Sequence, residues 1–439
     1  MIQSKASGPA GSGIDAARVA ALADERLDWR FKAVPAAASG LTVAEYLATG
    51  PTLDDFGTPL LTLDAGAMAH NLRTMADWAA EAGVRLAPHG KTTMAPALWR
   101  DQLEAGAWAI TLANLPQLRV ARAFGVRRVL LANSLLDAAG LAWLAGELDA
   151  DPEFSVSCWV DSVQSVELMD RALRAAGARR PVEVLVELGG PGGRTGARDL
   201  ESALQVARAA YGADTLRLSG LGGYEGALAH DATAAGLATV ERYLEQLAAL
   251  HGLVRAEGLF GQAAEVVLTA GGSAYFDQVA RVLTPIARAH PDTCVVLRAG
   301  AYLVHDDGFY RGISPLVRGA EGGPLRSAMH GWARVVSRPE EQLALLDGGK
   351  RDFPYDEGLP EPQSVRTADG LRKLTGAVTA VNDQHAFLRE AGELAPVGAV
   401  VRLGLSHPCT AFDKWTLIPV LDDADRANPR VVDLVRTFF

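Results

Sequence analysis

The segment Arg85-Leu86-Ala87-Pro88-His89-Gly90-Lys91-Thr92-Thr93 places a lysine on a glycine-flanked turn directly after a short apolar run. An ordinary lysine amine is protonated at neutral pH and a poor nucleophile. A desolvated pocket or a neighbouring cation exposes its lone pair for attack on an aldehyde, the first step of Schiff-base chemistry. Lys91 is therefore the first candidate for catalysis. The competing reading is a solvated loop lysine, and the rest of the chain has to decide between them.

Three further clusters carry residue types suited to chemistry. Thr269-Ala270-Gly271-Gly272-Ser273-Ala274-Tyr275 is a glycine-rich loop with a hydroxyl, and successive amides with no Cβ in the way can wrap a phosphate. Arg194 stands among Gly192, Gly193 and Gly196, where a guanidinium can hold a phenolate, carboxylate or phosphate. His407-Pro408-Cys409 sets imidazole and thiol two residues apart, on one face if the backbone is extended. Nitrogen plus sulfur favours zinc, and two protein ligands leave positions open for water and substrate. Against these stand plainer readings: a tight turn, a surface arginine, and a partly buried histidine beside an inert thiol.

These residues need a scaffold, and the chain's periodicity supplies one. Thr58–Asp64 reads as an apolar strand, and Gly66–Glu81 as a helix with Met68, Leu72, Met75 and Ala79 on one face. Strands then read at Val84–Pro88, Trp108–Ala113, Arg128–Ala132, Ser155–Val160, Val182–Glu187, Leu216–Leu221, Ala264–Thr269 and Thr293–Arg298, with amphipathic stretches between most of them. Short, continuous apolar runs are expected where both faces of a parallel strand are buried. Eight such units between Val84 and Tyr302 predict a (β/α)8 TIM-type barrel. A doubly wound dinucleotide fold loses, because no strand leads into a Gly-x-Gly-x-x-Gly turn.

Functional groups of such a barrel collect at the C-terminal ends of its strands. Lys91 follows the first of these strands, Asn114 and Asn133 the second and third, and Asp161 the fourth. Arg194 lies after the fifth, Tyr224 after the sixth, Ser273 after the seventh and Tyr302 after the eighth. Beyond Gly312 helical periodicity fades into β-rich segments at Gly331–Ser337, Gln342–Leu346, Leu371–Val381 and Val400–Leu405. The expected organisation is an N-terminal extension over residues 1–57, partly flexible with short helices, a barrel over 58–311 and a mainly-β domain over 312–439. The strand at 58–64 is free to join either.

Bulk properties fit a soluble enzyme: 439 residues, 49% hydrophobic and 21% charged. A net charge of -10, from 52 acidic against 42 basic residues, argues against a nucleic-acid partner. No uncharged apolar stretch reaches spanning length, and Met1–Ala17 has no apolar signal core, so no membrane partner or secretion is expected. Cys158, Cys294 and Cys409 are too scattered for a disulfide framework, which points to the reducing cytoplasm.

Taken in order, Pro88-His89-Gly90-Lys91-Thr92, Gly193-Arg194-Thr195-Gly196, Tyr224-Glu225-Gly226, Ala270-Gly271-Gly272-Ser273, Arg298-Ala299-Gly300-Ala301-Tyr302 and His407-Pro408-Cys409 give a specific pattern. From about Phe56 to its end the chain resembles the D-serine dehydratase and D-threonine aldolase family of fold-type III pyridoxal-phosphate enzymes, whose barrel is alanine-racemase-like. The resemblance implies pyridoxal 5'-phosphate on Lys91, a phosphate loop at Gly271, Gly272 and Ser273 helped by Tyr302, Arg194 near the phenolic oxygen, and Tyr224 lining the pocket. It also implies a divalent metal on His407 and Cys409, zinc in the dehydratase branch, whereas the aldolase branch usually shows His-x-Asp. The family's aldolases often carry a histidine directly after Tyr-Glu-Gly, where this chain has Ala227. The segment Pro339–Pro362 is longer than in compact members and stands to cover a neighbouring active site or to decorate the surface.

The activity so implied is a lyase reaction on a D-3-hydroxy amino acid of the D-serine or D-threonine type. Elimination of water to a 2-oxo acid and ammonia leads, with zinc assisting the poor hydroxyl leaving group. Retro-aldol cleavage to glycine and an aldehyde is the near alternative. A racemase would need a second base opposite Lys91 and would leave the metal motif idle. A non-catalytic pyridoxal-phosphate carrier is usually a lone barrel, which the β domain argues against. Fold-type III enzymes commonly complete their sites at an interface, so a homodimer is expected.

Overall fold

The computed structural model describes residues 13–319, 323–367 and 370–439; the stretch expected to be mobile at the start of the chain lies outside them. Among the described residues, eighteen strands form two sheets. The first strand, β1 (Leu60–Asp64), is followed by the eight that build the barrel. These are β2 (Arg85–Leu86), β3 (Ile110–Leu112), β4 (Arg128–Leu131), β5 (Ser155–Val160), β6 (Val182–Leu188), β7 (Leu216–Gly223), β8 (Val266–Ala270) and β9 (Thr293–Leu297).

Their order, β2-β9-β8-β7-β6-β5-β4-β3, is parallel throughout. A parallel bridge between His89 and Thr111 closes the ring, with Trp108 N–H on Leu86 O at 2.7 Å and Thr111 N–H on Pro88 O at 2.8 Å. The barrel interior is packed, not open, with Ala87, Ala109, Leu130, Trp159, Leu185, Val267, Cys294 and Val296 filling it. β8 and β9 are buried along their whole length, which explains their unbroken apolar sequence.

Capping residues start the intervening helices. Asn114, Asp137, Ser162, Asp199 and Thr233 each accept a backbone N–H of the first turn, and each such cap is worth about 1 kcal/mol. Asn114 is thus spent on the helix Leu115–Ala123 and is not a site residue.

The second sheet holds β10 (Met329–Glu340), β11 (Leu343–Leu346), β12 (Glu361–Thr367), β13 (Gly370–Lys373), β14 (Ala377–Val381), β15 (Ala386–Arg389), β16 (Val400–Gly404), β17 (Leu417–Leu421) and β18 (Val431–Arg436). β1 lies in this sheet, antiparallel to β10 and parallel to β17, so the segment just before the barrel is tied to the end of the chain. The single strand expected over Leu371–Val381 is two strands. Gly376, at φ 115°, breaks it, because a Cβ there would stand 2.4 Å from Arg389 O.

β16 delivers the segment that matters for chemistry. Asp307 N–H bonds Leu405 O at 2.9 Å, holding the end of β16 to the loop after β9. The short helix Pro408–Phe412 packs on the turn Gly90–Thr92 at the mouth of the barrel.

Candidate active site

Lys91 sits, half-buried, in the single turn Gly90–Thr92 that follows β2. Glycine flanks it for a packing reason. A Cβ on Gly90 would stand 2.6 Å from Ile110 Cγ2 and 2.8 Å from Trp99 Nε1, and that indole donates to Gly90 O at 3.1 Å. At the end of the neighbouring strand β9, a Cβ on Gly300 would meet His89 Cβ at 2.6 Å. The loop after β9 therefore presses directly on the lysine turn.

Two connected chambers open over the barrel. The inner one, about 310 Å³, is lined by Lys91, His89, Trp159, Glu187, Arg298 and Cys409 among others. The outer one, about 680 Å³, includes Ala227, Ala229, His230, Tyr275, Phe309 and Glu357. Arg194, Tyr224, Gly272, Ser273, Tyr310 and His407 border both.

The inner chamber is rich in buried polar atoms without a protein partner: His89 Nδ1, Glu187 Oε2 and Arg298 Nε. Arg298 is 2% exposed; its Nη1 donates to Thr269 Oγ1 at 2.6 Å and its Nη2 to Gly223 O at 2.5 Å, with the guanidinium over the Trp159 ring. Burial, reinforced by the charges of Lys91, Arg298 and Arg194, holds the His89 imidazole well below its usual pKa and hence neutral. Burial pushes the Glu187 carboxyl up, against a hydrogen bond from Thr195 and the charge of Arg298. Unpartnered buried groups are costly, so this arrangement fits a polar, anionic, flat ligand that would meet them. Pyridoxal phosphate, with an aldehyde for Lys91, has that chemistry.

The predicted cofactor residues are brought together, with two corrections. Arg194 lies with its guanidinium 4.6 Å from the centre of the Tyr224 ring, and that ring covers Gly272, where a Cβ would stand 3.2 Å away. Asp161 accepts Gly196 N–H at 3.2 Å and so pins the Arg194 loop, while Asn133 lines the inner chamber. The first correction concerns Gly271 and Gly272. Their amides donate to Glu225 Oε2 and Oε1 at 2.8 and 2.9 Å, so a buried carboxylate already fills the anion nest expected to hold a phosphate. Ser273 remains at the chamber wall. The second concerns Tyr302, which is 1% exposed. It lies in the turn Ala301–Leu303, its hydroxyl is bonded to Gln102, and it lines neither chamber.

His407 and Cys409 both reach the inner chamber. Cys409 Sγ lies 3.5 Å from Thr92 Oγ1. Burial alone would raise its pKa, but hydrogen bonding with His407 and Thr92 and the charges of His407 and Lys91 hold it below the usual thiol value. Its bond to Cys409, helped by Asp356, raises His407 to about 9. A nitrogen and a sulfur converging at an open face fit zinc. No group of three or more His, Cys, Asp or Glu able to hold a metal occurs among the described residues, so these two donors would leave the remaining positions to water or substrate.

Sequence reasoning passed over Trp159, Glu187 and Arg298 as site groups, although each stands at or beside a barrel strand end, where such groups gather. Asp356, on His407, had no local signal at all. No helix among the described residues is long and apolar enough to cross a membrane.

Two family profiles match the chain: "Alanine racemase, N-terminal domain" over residues 63–279 and "Putative serine dehydratase domain" over 328–421. The chain is 30% identical over 392 residues to D-threonine aldolase of Arthrobacter sp, covering 88% of this chain and 94% of that enzyme. D-threo-3-hydroxyaspartate dehydratase of Delftia sp. (strain HT23) is 26% identical over 378 residues, covering 82% and 92%. Among solved structures, D-threonine aldolase from Filomicrobium marinum superimposes with a TM-score of 0.71 at 26% identity, covering 88% of this chain and 97% of that one.

Proposed function

Since the chain belongs to the D-serine dehydratase and D-threonine aldolase family of fold-type III pyridoxal-phosphate lyases, we propose that it eliminates water from D-3-hydroxy amino acids. The products are a 2-oxo acid and ammonia. The observation that carries this reading is the meeting of Cys409 and His407 with the Lys91 turn in one chamber.

Bound at Lys91, pyridoxal phosphate supplies an electron sink for the charge left at Cα. Ser273 is the side chain of the Gly-Gly-Ser loop that would be left to hold its phosphate, and Arg194, stacked on Tyr224, would bind its phenolic oxygen. Zinc on His407 and Cys409 would supply a Lewis acid for the β-hydroxyl. The amine of Lys91 would take the Cα proton: it lies on the turn after β2 at the chamber wall, and burial makes His89 beside it a far weaker base. His89 stays neutral beside it and offers an unpartnered nitrogen as a hydrogen-bond partner for the substrate. Trp159 and the packed barrel interior close the chamber floor against water.

Retro-aldol cleavage is the second reading, favoured by the 30% identity to an aldolase. It needs a base at the β-hydroxyl. Ala227 occupies the position where the family's aldolases often carry histidine, and Cys409 replaces their aspartate, so elimination is preferred. Incubating the enzyme with D-serine and D-threonine separates the two. Pyruvate and 2-oxobutanoate are the expected products; glycine and acetaldehyde in their place would establish the aldolase instead.

A further inference from the structure

His407 adopts φ 50° and ψ 81°, a left-handed conformation that residues other than glycine rarely take. Two carboxylates hold it there. Asp306, with 0% exposure, accepts His407 N–H on Oδ2 at 3.1 Å, while its Oδ1 takes the amides of Gly308, Tyr310 and Arg311 at 3.0, 2.8 and 3.3 Å. The backbone of the metal segment is thereby clamped to the end of the barrel.

Asp356 holds the side chain. Its Oδ2 lies 2.5 Å from His407 Nδ1, and its Oδ1 accepts the Thr410 hydroxyl at 2.7 Å. A carboxylate can only accept, so Nδ1 is the donor nitrogen of the ring. Nε2 is then the ring nitrogen left for the inner chamber, which His407 and Cys409 both line.

We propose that Asp356 is a positioning residue of the metal site: by binding Nδ1 it fixes the His407 ring so that Nε2 is the nitrogen left for a metal shared with Cys409. This rests on the reading of His407 and Cys409 as a metal pair. An outer carboxylate on a histidine ligand sets its tautomer and raises its basicity, and loss of such a partner typically weakens metal binding by about 10–100-fold. The role also gives the last part of the segment Pro339–Pro362, from Asp356 to Gly358, a task. That part folds onto this chain's own site, with Ser406 Oγ on Gly358 O at 3.1 Å and Glu357 in the wall of the outer chamber.

The test is Co²⁺ binding to the cofactor-loaded, metal-stripped enzyme, followed by competition with a chromophoric chelator and by the d–d bands. D356A is expected to bind Co²⁺ about 10–100-fold more weakly than wild type with altered d–d bands, and to keep the visible cofactor band. D356N, which retains an acceptor, and T410V, which removes the second hydrogen bond on Asp356, are expected between the two. Wild-type affinity and bands in D356A would overturn the positioning role while leaving the metal pair intact. Absence of Co²⁺ and Zn²⁺ binding in wild type would overturn the metal reading itself, and this inference with it. Loss of the cofactor band in D356A and T410V alike would mark a general loosening of the site and would also overturn the proposal.

Discussion

Cys409 Sγ lies 3.5 Å from Thr92 Oγ1, although 317 residues separate them in sequence. Thr92 directly follows the candidate Schiff-base lysine, so a thiol of the second sheet domain stands over the barrel's reactive turn. Cys409→Ala removes the sulfur donor without touching Lys91. Elimination should fall by at least about a hundredfold, while the cofactor's visible absorbance persists. Full activity in Cys409→Ala, or in chelator-treated wild type, would refute a role for the metal pair.

Lys91→Ala is the complementary change. The turn itself is held by Gly90, Trp99 and Gly300, none of which depends on the lysine side chain. The variant should therefore fold, lose the visible band of the bound cofactor, and lose activity by about a thousandfold or more. Unchanged absorbance in Lys91→Ala would remove the basis of the whole functional reading.

The barrel was legible because short continuous apolar runs and period-3.6 stretches alternate locally, and Lys91 because Gly90 and the apolar run sit next to it in sequence. Long-range partners were not legible. Gly271 and Gly272 have the composition of a phosphate nest, yet Glu225, 46 residues earlier, occupies their amides. Tyr302 stands after a barrel strand, but the turn Ala301–Leu303 aims its hydroxyl at Gln102. Asp356 reaches His407 across 51 residues, and no spacing rule links them. The strands β12, β15, β17 and β18 escaped because pairing in the second sheet, more than local alternation, defines them.

Glu225 offers a third prediction. Its two oxygens tie the loop after β8 to the loop after β7, and the loop's conformation at Ser273 depends on them. Glu225→Gln keeps the volume but replaces one acceptor with a donor facing an amide N–H. An unmade buried bond of this kind costs about 1–3 kcal/mol. Cofactor affinity, read by dialysis and fluorescence titration, should drop roughly tenfold or more. An unchanged affinity would mean that Glu225 does not shape the cofactor loop.

The outer chamber predicts the tolerated side chain. Its walls combine Tyr275, Phe309 and Tyr310 with small residues at Ala227 and Ala229, and Glu357 adds a carboxylate. Bulky β-aryl substrates should be accepted at a kcat/KM comparable with D-threonine, and a substrate carrying an extra β-carboxylate should be disfavoured. Glu357→Gln should raise use of the carboxylate substrate by roughly tenfold, since like charges across a contact are repelled. If that substrate were preferred by wild type, the chamber would not hold the substrate side chain.

Stability should depend on buried histidines away from the site. His251, His305 and His330 are 2%, 4% and 7% exposed. Burial, with neighbouring arginine charge, lowers them to about 4, about 4 and about 3 from the ordinary 6.5. Each stays neutral in the folded state while the unfolded chain binds a proton below pH 6.5. The unfolded state thus holds more protons between about pH 6.5 and 4, so stability rises with pH across that window and is lost as pH falls. Each histidine contributes a slope of up to about 1.4 kcal/mol per pH unit. His330→Gln cannot titrate there. Its unfolding free energy, measured by denaturant at several pH values, should lose about one histidine's worth of slope between pH 6 and 4. An unaltered slope would show that His330 is protonated in the fold and that Arg402 beside it is not repelling the charge.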